Sequence, residues 1–133
     1  MSESFLVIDD SKLLHQMYRL IFSQADLAGS TVHYASNGRD GYRLLAAHPD
    51  LTLVLLDLNM PEMNGLEVLA LRQAERLHPH VPIVLVTTES SEDDEVRGRA
   101  AGAWDYIRKP FQPHDIHGLV RRAREQRRNR GAA

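Results

Sequence analysis

Two segments of this chain, Leu51–Leu56 and Ile83–Thr87, are apolar at nearly every position. A strand covered on one face alternates apolar and polar residues, whereas a strand covered on both faces has no solvent side to reserve for polar groups. Both runs therefore read as central strands of a parallel sheet with helices on either side. Weaker runs at Phe5–Ile8, Thr31–Tyr34 and Ala103–Ile107 bring the set to five. Between them, Leu14, Met17, Tyr18 and Ile21 recur at helical spacing. So do Leu66, Leu69, Ala70 and Leu77, and later Ile116, Leu119, Val120 and Ala123. Two further helices with fewer apolar residues fall at 39–47 and 92–101, and the alternation is (βα)5, an α/β doubly wound pattern. Ser91-Glu92-Asp93-Asp94 places a capping hydroxyl and acids where a helix start favours them, and Gly102 marks the stop of that helix.

A chain of 133 residues can bury such a core without staples, and with no cysteine it has no disulfide framework, thiolate metal site or cysteine nucleophile. The apolar runs are too short to cross a bilayer, so no membrane segment is expected. Met1-Ser2-Glu3-Ser4 carries an acid where a secretory signal carries bases, and the expectation is a cytoplasmic protein. Charge is unevenly spread. Residues 1–120 hold ten Lys and Arg against 17 Asp and Glu, while residues 121–133 hold six Arg against one Glu. The arginines suit a helix C-terminus, the acidic body repels phosphates, and no DNA contact is expected. The whole of 1–133 reads as one domain, with 127–133 a flexible basic tail.

The chemistry-bearing residues fall at strand ends. Asp9 and Asp10 follow the first strand and Asp57 closes the third, so all three belong to one edge of a parallel sheet, where open α/β sheets bind ligands. In a strand order of 2-1-3-4-5 the first and third strands are neighbours, and the acids converge. Clustered carboxylates repel one another, so they either shift their pKa values upward or share a hard cation with a preference for oxygen, for which Mg2+ is the natural candidate. Thr87 ends the fourth strand with a hydroxyl, and Lys109 follows the fifth with a compact cation. Singly, these residues are ordinary: an Asp-Asp pair after a strand usually serves a turn, and a lysine before a proline usually sits at the surface. Together on one rim they make a site for a transferring phosphoryl group, with Asp57 as the in-line nucleophile.

The motifs Leu6-Val-Ile-Asp9-Asp10-Ser11, Leu55-Leu-Asp57-Leu-Asn-Met60-Pro61-Glu-Met-Asn64-Gly65, Val86-Thr87, Ala101-Gly-Ala103, Tyr106 and Lys109-Pro110-Phe111 span essentially the whole chain. Taken jointly, they resemble the receiver domain of two-component response regulators. The resemblance implies a flavodoxin-like fold with a five-stranded parallel sheet in the order 2-1-3-4-5. It implies that Asp57 is the phosphoacceptor, with Mg2+ held by Asp10, Asp57 and the backbone carbonyl of Asn59, and Asp9 acting through water. By the same resemblance Thr87 and Lys109 contact the phosphoryl group, the Lys109-Pro110 bond is cis, and Thr87 with Tyr106 forms the switch pair. Met60-Pro61 and Asn64-Gly65 shape the loop after the phosphoacceptor and start the next helix. Asn59 and Glu89, two residues past the phosphoacceptor and the threonine, flank the path of attacking water and bear on phosphoryl lifetime.

Two positions depart from the family's commonest pattern. Thr88 stands where a smaller residue is usual and slows transfer if it crowds the site. Trp104, two residues before Tyr106, is expected on the same strand face, either as a core residue or, with Tyr106, as an anchor for a partner. The seven histidines are read as ordinary, since His78-Pro-His80 has no third ligand nearby.

The resemblance implies a signalling protein rather than an enzyme, one that assists its own phosphorylation and dephosphorylation. A sensor histidine kinase is the expected donor, and a phosphatase a further partner. With no output domain after the fifth helix, a stand-alone regulator is expected. Thr87-Thr-Glu89-Ser, with Tyr106-Ile-Arg-Lys109-Pro-Phe-Gln-Pro113, looks like the chemotaxis subset, whose face of helix 4, strand 5 and helix 5 meets a motor or motility target. The alternatives are a phosphorelay shuttle and a pseudo-receiver that works as an interaction module without phosphorylation. The latter predicts a lost acid or lysine, and none is lost. A monomer or a weak dimer through the switch face is expected.

Overall fold

The computed structural model describes residues 3–88 and 92–132. Its elements, in chain order, are β1 (Ser4–Ile8), α1 (Lys12–Phe22), a 3-10 turn (Ala25–Leu27), β2 (Thr31–Ala35), α2 (Gly38–Ala47), β3 (Leu53–Asp57), α3 (Gly65–Glu75), β4 (Ile83–Thr87), α4 (Glu92–Ala100), β5 (Asp105–Arg108) and α5 (Pro113–Ala132). The strands are all parallel and lie in the order β2-β1-β3-β4-β5, as the sequence predicts.

The sheet has helices on both faces, which is why its central strands spare no position for polar groups. Successive side chains point to opposite faces. Phe5, Val7, Leu53, Leu55, Val84 and Val86 meet Tyr18, Ile21 and Phe22 of α1 and Ile116, Leu119 and Val120 of α5. Leu6, Ile8, Val54, Leu56, Ile83 and Leu85 meet Leu45 of α2 and Val68 and Leu69 of α3. All five residues of β3 and all five of β4 are buried. The two strands bearing the Asp57 and Thr87 ends are thus buried along their whole length.

Helix starts are set by side-chain caps. Ser11 accepts from the Leu14 N–H and Asn37 from the Asp40 N–H, while Asn64 and Glu67 form a reciprocal capping box at α3. Ser91, the expected cap of α4, lies outside the described residues. That helix has acids at 92–95 and arginines at 97 and 99, matching its dipole. Gly102 ends it at φ +103°, a conformation open to glycine.

Two expectations are corrected. The segment from 127, expected as a flexible tail, forms the last turns of α5. No proline or glycine interrupts residues 119–130. The helix is also tied to the body: Arg124 pairs with Glu3 and Asp26, and Arg127 Nη1 donates to the Asp50 carbonyl at 2.8 Å. Trp104 and Tyr106 do not share a face. Trp104 packs against the α1/α5 core beneath the Arg122 guanidinium, 5.0 Å from its ring centre, whereas Tyr106 packs against the opposite core. The strand starts only at Asp105, so two-residue alternation does not extend back to Trp104. No helix among the described residues is long and apolar enough to cross a membrane.

Candidate functional site

Because β1 and β3 pair in parallel, Ile8 opposite Leu56, the residues that follow them emerge side by side. Asp9 and Asp57 are 1% and 5% exposed, and Asp10 projects into solvent. One carboxylate oxygen from each of the three lies within 4.8 Å of the others. Lys109 reaches in from the end of β5, its Nζ 3.0 Å from Asp9 Oδ2 and 3.4 Å from Asp57 Oδ1. The Lys109-Pro110 peptide is cis. Backbone packing closes the floor of the site. A Cβ on Gly65 would lie 2.6 Å from the Asp57 carbonyl oxygen, so only glycine lets α3 start this close to β3.

The electrostatics follow from crowding. Burial, and then repulsion from Asp9, push the Asp57 carboxyl up to about 6, against the opposing pull of Lys109 and the Asn59 N–H. A buried acid that resists ionisation while facing two other acids is a natural seat for a divalent cation. Three convergent carboxylates, with Asp10 open to solvent, fit an ion that takes oxygen ligands and keeps several waters. Among the described residues this is the one group of three or more metal-donor side chains. On the other side of Asp57, the wholly buried Thr87 has its Oγ1 3.5 Å from Asn59 Nδ2.

The structure thus brings together Asp9, Asp10, Asp57, Asn59, Thr87 and Lys109. Tyr106 sits on β5, half-buried, with its backbone paired to Leu85 two residues before Thr87. Glu89 lies outside the described residues. Thr88 is exposed. Of the histidines, His33 and His48 stack at 4.0 Å, and His78 and His80 bond to the carbonyls of Ala46 and Pro49. His15 differs from these in its partner: buried in the first turn of α1, it bonds to the Asp9 carbonyl. Its signal is its spacing, since it shares a stripe with Tyr18 and Phe22, where a polar residue needs a partner.

The family model described as the response regulator receiver domain matches residues 5–121. Transcriptional regulatory protein SrrA of Staphylococcus aureus (strain NCTC 8325 / PS 47) is 34% identical over 116 residues, covering 87% of this chain and 45% of SrrA. The chain therefore spans a little under half the length of that relative. Among solved structures, the chemotaxis protein CheY4 of Vibrio cholerae superposes with a TM-score of 0.81 at 28% identity, covering 92% of this chain and 99% of CheY4. A CheY-like receiver domain protein of Methanospirillum hungatei JF-1 gives 0.83 at 26% identity, covering 97% and 99%.

Proposed function

The chain belongs to the receiver domain family of response regulators, and from that premise we propose that Asp57 is the residue that takes the phosphoryl group. Receiver domains are phosphorylated by histidine kinases and bind Mg2+ through an acidic pocket. The observation that carries the assignment is the position of Lys109 Nζ, within 3.4 Å of both Asp9 and Asp57 at the edge where buried Thr87 ends β4. A lysine so placed meets the charge of an incoming phosphoryl group as Asp57 attacks.

In the transfer, an Asp57 oxygen forms its bond to phosphorus while the bond from phosphorus to the donor histidine nitrogen breaks and its electron pair returns to the imidazole. Lys109 Nζ and the Thr87 hydroxyl donate to the phosphoryl oxygens. Asp10, Asp57 and the Asn59 carbonyl would hold Mg2+, with Asp9 acting through water, and the cation supplies neutralisation of phosphoryl charge. Asn59, whose N–H faces Asp57, bears on how long the acyl phosphate lasts, and Glu89 shares that role by its place in the sequence, two residues past Thr87.

Thr87 then draws toward the phosphoryl group and Tyr106 repacks beside it, which remodels the α4/β5/α5 face. The anchoring of α4 supports this reading, because Gly98 is its one buried residue among those described. A motility or chemotaxis target for that face is supported by the likeness to CheY4. A second reading, a role in transcriptional control, is favoured by the 34% identity to SrrA.

Beryllofluoride, an acyl-phosphate mimic, tests the assembled site. With Mg2+ present, 19F NMR should show a bound adduct in the wild type and none in Asp57→Ala. An adduct that persists in Asp57→Ala contradicts the assignment.

A further inference from the structure

We infer that His15 is a positioning residue for the acidic turn, fixing the peptide unit that joins Asp9 to Asp10. Every other polar group of Asp9 is held by the sheet edge or by the turn itself. Its N–H donates to the Ala35 carbonyl at 3.0 Å, its Oδ1 accepts the Ser11 N–H at 2.8 Å, and its Oδ2 accepts from Lys109 at 3.0 Å. The remaining group, the Asp9 carbonyl, is met from α1 by His15 Nε2 at 2.6 Å. Because a carbonyl only accepts, Nε2 carries the proton.

The ring is well fixed for the task. His15 is 7% exposed, and its ring centre lies 5.2 Å from that of Tyr34 on β2, tilted by 46°. The Asp9 carbonyl and the Asp10 N–H belong to one planar unit, so holding the oxygen holds the plane. That plane sets the direction in which the chain carries the Asp10 carboxylate, the most exposed of the three acids and the one with the fewest contacts of its own. Without the bond, a buried carbonyl loses its partner and the plane is released. The Asp10 carboxylate then spreads over positions of which only some face Asp9 and Asp57. His15 acts in the way of outer groups that orient metal ligands without touching the metal.

The inference rests on the reading of Asp9, Asp10 and Asp57 as a Mg2+ site, and titration calorimetry of the metal-free full chain with Mg2+ separates the two. Wild type, His15→Leu and His15→Gln are compared, with thermal melts to verify folding. The Leu variant should bind Mg2+ about tenfold more weakly. The Gln variant, whose side-chain amide can donate to the same carbonyl, should stay within about twofold of wild type. Wild-type affinity in His15→Leu overturns the inference and leaves the Mg2+ site standing. Equal weakening in both variants also overturns it, since ring volume would then be the cause. A wild type that takes up no Mg2+ overturns both readings. If His15→Leu does not fold, 15N NMR of the wild-type imidazole decides: a proton on Nε2 bonded to the Asp9 carbonyl is expected, and a bare Nε2 overturns the inference.

Discussion

Asp57 carries a charge that its surroundings resist, and this has a consequence for stability. Its carboxyl titrates near 6 in the folded chain, against roughly 4 in an unfolded one. The folded state therefore holds that proton more tightly, so the group's contribution is full below about pH 4 and is lost as pH rises through about 6. Without metal, Asp57→Asn should be more stable than wild type at pH 8 by about 2–3 kcal/mol and nearly equal at pH 4. Urea unfolding of both proteins in EDTA at the two pH values measures the difference. Lys109 is the counterweight, 3.0 Å from Asp9. Lys109→Met should cut the rate of phosphoryl uptake about 100-fold, the scale of losing one donor to a developing oxyanion. A rapid-quench time course with acetyl phosphate checks this. The positions of both residues are legible in the sequence because each ends or follows a strand in a consistent register. His15 was not legible in that way. Its partner is a backbone carbonyl six residues back, which carries no side-chain signature.

At the scale of elements, β3 and β4 were the easiest to read, since burial on both faces leaves an unbroken apolar run. β5 was harder. It has four residues and none is fully buried, so the sequence did not reveal that alternation begins after Trp104. The arginine run reads correctly as a helix end, but the sequence does not show how far that helix extends past residue 127, because solvated charge looks alike in a tail and in a helix. Its ion pairs with Glu3 and Asp26 join positions 121 and 98 residues apart in sequence. Removing residues 125–133 keeps those pairs and loses the Arg127 contact to Asp50. Stability should fall by about 1 kcal/mol or less, with phosphoryl uptake unchanged, as urea titration and labelling would report. Gly65 is less forgiving, because a methyl group there meets backbone atoms that cannot swing aside. Gly65→Ala should cost about 1–3 kcal/mol of stability, read from the urea midpoint.

For the whole molecule, sheet order turns scattered residues into a site. Pairing β1 with β3 brings Asp9 beside Asp57, a separation of 48 positions in sequence. Placing β4 and β5 next in line delivers Thr87 and Lys109 to the same edge. The helices on both faces bury the strands but leave this edge open, with Asp10 in solvent beside the two buried acids. The same order puts β5 beside β4, so that Tyr106 lies on the strand next to the one that ends in Thr87. The measurement that goes most directly to this account is phosphoryl incorporation from acetyl phosphate, in Mg2+ and in EDTA, for wild type and Asp57→Ala. The account predicts labelling of wild type that needs Mg2+ and is absent from Asp57→Ala. Labelling that survives EDTA or the substitution, or a wild type that takes up no phosphoryl group, would contradict it.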